Sequence, residues 1–321
     1  MSFKEKFDEI MKVDRAKNSS LILGKKHPDY QWEERQKIIS AAEDTYVTKF
    51  MSIATCEKQD RIINNLHKNN LFGAVAESFN DVFDTQIQIT KSKIEHLSKT
   101  QKISEAEIEE KIKHFNNEYR VLSLSLLDPI QSTSSHMWGL YAESGNGIAI
   151  KYNLKEVINN LCNNSDDAYY EYMRMDYMEG DSLYNHFKND VSLACIQYIE
   201  TYNPLERFKA FLHDNYAETN VEYAIYKHPQ WKNETELRVI LSLYNARTYR
   251  TENLRKFYDL KCFFPMPKPK EIFIGWKVEE CVSKLLLNTI DQSATKIYKL
   301  TGKMVYSGKE IRYETMKLKP A

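Results

Sequence analysis

One segment constrains this chain more than any other: Glu234-Thr235-Glu236 followed by the apolar run Leu237–Leu243. The run LRVILSL is rich in aliphatic and β-branched residues, which predicts a buried strand. Two glutamates spaced two apart stand at its mouth, with Arg238 one more step of two along. Period two along a strand puts Glu234, Glu236 and Arg238 on one face. Carboxylates that close raise each other's pKa, while an adjacent Arg holds at least one ionised, a geometry suited to catalysis. The more ordinary reading of the same residues is a ladder of solvated charges on an exposed strand face, which contributes little.

The rest of the chain supplies partners for that strand in irregular order. The N-terminus predicts two helices. The first opens on the capping-box spacing Ser2 to Glu5, with Phe3, Phe7, Ile10 and Met11 on one face; the second covers 29–42. Strands are predicted at 46–53, 70–75, 119–127, 147–152, 169–177, 271–275, 295–300 and 310–314, and helices at 57–68, 91–117, 182–216 and 279–289. No βαβ regularity and no repeat period emerges. The class is α+β, with a mixed, largely antiparallel sheet, flanking helices and an N-terminal helical extension. The expected division is an extension at 1–44 and a single α+β domain at 45–321.

Composition narrows function by exclusion. Forty-five Lys+Arg balance forty-five Asp+Glu, which argues against bulk nucleic acid or an anionic membrane as partner. A basic loop with Arg247, Arg250, Arg255 and Lys256 keeps a local nucleic-acid patch as a third reading. No window is apolar enough to span a membrane, and the charged N-terminus has no secretory pattern. Five scattered cysteines without a CxxC fit reduced thiols and a cytoplasmic setting. Eight dispersed His residues and no HExxH predict no metal, and the Rossmann, P-loop and GxSxG signatures are absent.

Two further segments stand out. In Ser134–Ala142, Trp138 and Tyr141 sit three apart, so one helical turn can present both to an aromatic ligand or, as is more common, to a core. In Glu77–Asp84, Asn80-Asp81 follows a short strand and suits either a plain Asx turn or a turn that lines a site.

Taken in order, these segments resemble the bacterial domain-of-unknown-function family 2971. The early strand Val47-Thr48-Lys49-Phe50, the turn Phe79-Asn80-Asp81 and the strand end Leu124-Ser125 carry the first half of the likeness. Met137, Trp138, Tyr141 and Ala142, then Gly147-Ile148-Ala149-Ile150, and finally Lys227, Trp231, Glu234, Glu236 and Arg238 carry the second. The order holds from about residue 46 to about 275. Two departures stand out: Val82 replaces a proline, and Gly139-Leu140 replaces a Ser-His pair.

A Glu-x-Glu at the start of an apolar strand is also similar to the signature of ADP-ribosyltransferases. That resemblance implies NAD as substrate and no metal, with Lys49 on an early strand standing where a His or Arg is usual, Ser125 on a middle strand and Glu236 late. It further implies that Glu236 steadies an oxocarbenium-like ribose and Glu234 activates the acceptor, with Ser125 completing the catalytic set. Lys49, Asn80, Asp81, Trp138, Tyr141 and Arg238 are the implied substrate contacts. The expected function is an ADP-ribosyltransferase-like enzyme, in a toxin or phage-defence role, with a nucleotide and a macromolecular acceptor as partners. A non-catalytic nucleotide-sensing or protein-binding module is the alternative. Three local expectations accompany it: a substantially buried Trp231, Asn80-Asp81 beside the cleft of Glu236, and a Glu236→Gln variant that is inactive yet folded.

Overall fold

The structure is a computed structural model of the 321-residue chain. It describes residues 1–12, 21–23, 32–75, 78–79, 89–117, 119–163, 191–198, 224–242, 262–308 and 310–318. The elements run α1 (Phe3–Lys12), β1 (Leu21–Ile22), α2 (Trp32–Ala41), β2 (Tyr46–Ser52), α3 (Cys56–His67), β3 (Asn70–Gly73), α4 (Lys91–Gln101), α5 (Glu105–Asn116) and β4 (Tyr119–Ser125). There follow α6 (Ser135–Leu140), β5 (Gly147–Asn153), α7 (Leu154–Asn163), β6 (Val191–Cys195), β7 (Gln197–Tyr198) and β8 (Tyr226–Lys227). A 3₁₀ turn (Pro229–Glu234) leads into β9 (Glu236–Ser242), β10 (Cys262–Pro265), β11 (Glu271–Ile274), α8 (Glu280–Thr289), β12 (Lys296–Ser307) and β13 (Glu310–Lys317).

Local signals explain several boundaries. The Ser2–Glu5 capping box forms in both directions, Ser2 N–H to Glu5 Oε2 at 2.7 Å and Glu5 N–H to Ser2 Oγ at 3.3 Å. The stretch expected to be helical across 91–117 holds two helices. Lys102 takes a left-handed conformation (φ 56°) and Ser104 Oγ caps the second by accepting from Glu107 N–H. The helix expected across 182–216 is corrected at its middle, where β6 forms instead. Val191–Cys195 is buried throughout and pairs with β9, so sheet burial outweighs the helical spacing of Leu193 and Ile196. The strand expected at 169–177 lies outside the described residues, as does the basic loop.

Nine strands make one sheet in the order β1-β6-β9-β4-β2-β5-β11-β12-β13. Every neighbouring pair is antiparallel except β11 with β12. With helices on its flank, the architecture is α+β with a mixed, largely antiparallel sheet. A separate ribbon pairs β3 with β10, and a short one pairs β7 with β8.

One face of the sheet buries Leu122, Leu124, Ile148, Ile150, Leu237, Val239 and Leu241 in the main core, with α2, α3, α7 and α8 contributing Ile38, Ile62, Val157 and Leu286. The N-terminal elements α1 and β1 contact it. Phe3, Phe7 and Met11 of α1 enter that core and β1 pairs with β6. The opposite face carries two smaller cores. One gathers Phe50, Trp138, Ala149, Phe273 and Tyr313, and the other Tyr119, Val121, Ala194 and Ile240.

The ladder between β2 and β4 opens. These seven-residue strands share a single register pair, Thr48 with Ser125, whereas β2 pairs with β5 and β4 with β9 along their whole lengths. Side chains and a foreign backbone fill the parting. Thr48 Oγ1 donates to Leu127 O at 2.9 Å, Lys49 Nζ donates to Ser123 O at 3.0 Å, and Ala74 exchanges both backbone bonds with Val121. Backbone acceptors that a closed ladder would satisfy are thus satisfied by side chains.

Candidate functional site

A cavity of about 200 Å³ occupies the parting, lined by residues that include Lys49, Phe79, Ser125, Tyr141, Trp231 and Glu236. Its floor is ionic. Arg238 donates from Nε to Glu236 Oε1 at 2.7 Å and from Nη2 to Glu236 Oε2 at 3.2 Å, a forked contact. Lys227 Nζ bridges the two carboxylates, 3.1 Å from Glu236 Oε2 and 2.8 Å from Glu234 Oε2. Tyr141 O–H donates to the remaining Glu234 oxygen, Oε1, at 2.6 Å. Arg238 Nη1 also donates to Ala224 O, its guanidinium lies 5.2 Å from the Phe79 ring, and Lys227 Nζ lies 5.0 Å from the Trp231 ring.

The backbone brings these groups together in two ways. Glu236 and Arg238 share a face of β9 through period two, as the sequence predicts. Glu234 does not. It ends the 3₁₀ turn, and Thr235 between the two glutamates takes a left-handed conformation (φ 46°), uncommon for a β-branched residue. Glu234 reaches the cluster because Lys227 and Tyr141 hold its carboxylate, while Ser125 Oγ–H donates to its carbonyl at 2.6 Å. The reading of an exposed charge ladder is overturned by burial: Glu234, Glu236 and Lys227 are 3%, 5% and 6% exposed and Arg238 not at all.

Burial alone would raise the Glu236 carboxyl, but Arg238 and then Lys227 overcome it and hold the group at about 2, ionised across the ordinary pH range. Lys49 moves the other way for a cation. Burial pushes it down to about 8 against the pull of Glu236 and Glu234, with Arg238 adding to the fall.

The other expected site residues fall as follows. Ser125 lines the cleft, yet its hydroxyl is engaged: it donates to Glu234 O and accepts from Leu127 N–H at 3.2 Å, which fits a positioning residue. Trp138 is corrected from ligand contact to core. It is fully buried, donates Nε1–H to Pro129 O at 2.8 Å, and packs edge-on to Phe50 at 5.5 Å. Tyr141, the C-cap of α6, packs against the same small core as Trp138, while its hydroxyl reaches Glu234. Asn80 and Asp81 lie outside the described residues, although Ser78 and Phe79 just before them line the cavity. Trp231 is half-buried, not exposed.

Sequence reasoning left Lys227 and Trp231 out of the site, although both sit in the late block of the family likeness. It also missed Tyr198, whose hydroxyl accepts from Glu236 N–H at 3.2 Å and which no spacing rule flags. Among the described residues no three of His, Cys, Asp and Glu gather as metal ligands, and no helix is long and apolar enough to cross a membrane.

Comparison with known proteins agrees with the likeness over part of the chain. The model of a family described as "Protein of unknown function (DUF2971)" matches residues 137–239. That span includes Tyr141, Lys227, Trp231, Glu234, Glu236 and Arg238, and leaves Lys49 and Ser125 outside. No curated protein and no solved structure matches the chain.

Proposed function

We propose that this cleft binds NAD and breaks its nicotinamide–ribose bond, transferring the ADP-ribosyl group to an acceptor or to water in a toxin or phage-defence role. One observation carries the reading: Lys49 of β2, Ser125 of β4 and Glu236 of β9 meet in a single cavity where the sheet parts. They come in the chain order that the ADP-ribosyltransferase likeness implies. A 200 Å³ cavity lies below the ~300–1,000 Å³ of pockets that enclose a whole drug-sized ligand. It suits one ring-and-sugar end of a dinucleotide, with the remainder at the mouth.

In this reading the bond from ribose C1′ to the nicotinamide nitrogen breaks, and nicotinamide leaves neutral with the bonding pair. The ionised Glu236 faces the positive charge that grows on the ribose. A carboxylate has about four lone-pair sites, so its three bonds to Arg238 and Lys227 leave room for a ribose hydroxyl. Glu234 takes the acceptor's proton as the acceptor attacks C1′, with Lys227 and Tyr141 fixing its orientation.

The commitment of both Glu236 oxygens to buried cations favours a second reading, a non-catalytic module that binds a nucleotide or a partner protein in the same cleft. Incubation with NAD separates the two. Free nicotinamide above a protein-free blank, quantified by chromatography, is the enzymatic outcome. A raised melting temperature with NAD and no nicotinamide is the binding-module outcome.

A further inference from the structure

We infer that the cleft receives an oxyanion, the phosphate or carboxylate of its ligand, seated against the Lys49 ammonium. Three cations (Lys49, Lys227, Arg238) face two carboxylates (Glu234, Glu236) around the cavity. Both carboxylates are already bound by Arg238, Lys227 and Tyr141. Among the described residues, Lys49 Nζ reaches the Ser123 carbonyl alone at hydrogen-bond distance, so two of its three N–H donors remain for the cleft. Trp231, another wall residue, keeps its indole N–H buried without a partner. These ammonium and indole N–H groups lack acceptors among the described residues, and a ligand oxyanion would supply them.

Energetics point the same way. Burial disfavours the Lys49 charge, and the nearby Glu236 and Glu234 offset part of that cost. The ammonium, lowered to about 8, persists at neutral pH, and an added anion would stabilise it further. The inference holds for a catalytic cleft and for a binding module alike. Its failure would leave nicotinamide release untouched, and the reverse.

The test is a calorimetric titration of the full chain at pH 7 and constant ionic strength with inorganic phosphate, acetate or chloride, beside melting curves in each. Saturable binding of phosphate but not acetate assigns a phosphate source; binding of both assigns a general carboxylate-or-phosphate seat. In Lys49→Met, and in Lys49→Gln should the first variant fail to fold, affinity is expected to fall at least about tenfold, as loss of one charge-assisted contact implies. The apo variant is expected to melt at or above the wild-type temperature, since a half-buried charge without an ion-pair partner among the described residues has gone. Binding of phosphate and acetate no tighter than chloride in the wild type would overturn the inference, as would a variant that binds them undiminished.

Discussion

Replacing Glu236 by Gln removes one negative charge from between two buried cations and leaves the shape almost unchanged. The carboxylate accepts three hydrogen bonds, at 2.7 and 3.2 Å from Arg238 and 3.1 Å from Lys227. The amide keeps one acceptor oxygen and turns an N–H₂ toward a cation. Two independent lines size the loss. Breaking a buried ion pair by neutralising one partner costs about 3–5 kcal/mol. The fall of the carboxyl from 4.5 to about 2 on folding corresponds to about 3 kcal/mol of ionised-state stabilisation. At about 2–4 °C per kcal/mol for a chain of this order, the melting temperature should drop by about 6–20 °C. Calorimetry at pH 7 measures it.

The same linkage gives a second readout with a definite sign. A carboxyl whose folded pKa is depressed contributes fully above its unfolded value and loses that contribution as pH falls from about 4.5 toward 2. The gap between wild type and variant should therefore close across that window. A variant that melts within about 1 °C of wild type at pH 7 would refute the ionic floor, given that buried-network substitutions sit in the large-effect tail. So would a gap that persists unchanged at acid pH. This prediction replaces the expectation of a folded, unperturbed Glu236→Gln protein, which assumed an exposed strand face. Activity of the variant has meaning only well below its own melting temperature.

Tyr141→Phe removes the 2.6 Å donor to Glu234, a hydrogen bond to a charged group, and should cost about 1.5–3 kcal/mol in a urea titration. Gly145→Ala should destabilise by at least about 2 kcal/mol: Gly145 lies at φ +92°, and an added Cβ would meet the Trp276 ring at 2.4 Å. A melt of that variant within error of wild type would contradict it. Lys49, lowered in the fold from 10.5 to about 8, withholds stability while protonated. Wild type should therefore gain on Lys49→Met as pH rises from about 8 to 10.5, read as the difference between their unfolding free energies.

How much of this was legible in the sequence depends on the range of the interaction. The Ser2–Glu5 cap, the β9 run and the shared face of Glu236 and Arg238 follow from spacings of two or three residues, and they stand as read. Lys227 and Tyr198 could not be placed that way. They reach Glu236 from β8 and β7, a ribbon whose short strands carry no period of their own. Val191–Cys195 misled for the opposite reason. Its spacing allows a helix, and pairing to β9 decides for a strand, a choice made by residues about forty-five positions away.

What the local patterns could not express is the parting of the sheet. A closed β2–β4 ladder would satisfy its own backbone and allow apolar side chains on both faces. Here it is opened by a cationic side chain and a buried ionic cluster, a costly exchange, since well-packed apolar residues of similar volume are commonly as stable as a buried ion pair or more so. The cluster's contribution is therefore better sought in the cavity than in stability. Lys227 and Arg238 hold two carboxylates fixed and ionised beside a space that water or a ligand can enter, and Ser125 ties the turn that carries one of them to the strand that carries neither. Preorganised charge of this kind needs no rearrangement when a ligand arrives. Lys49 differs from the rest of the set: burial lowers it to about 8, and its ammonium meets the Ser123 carbonyl and no carboxylate at hydrogen-bond distance among the described residues.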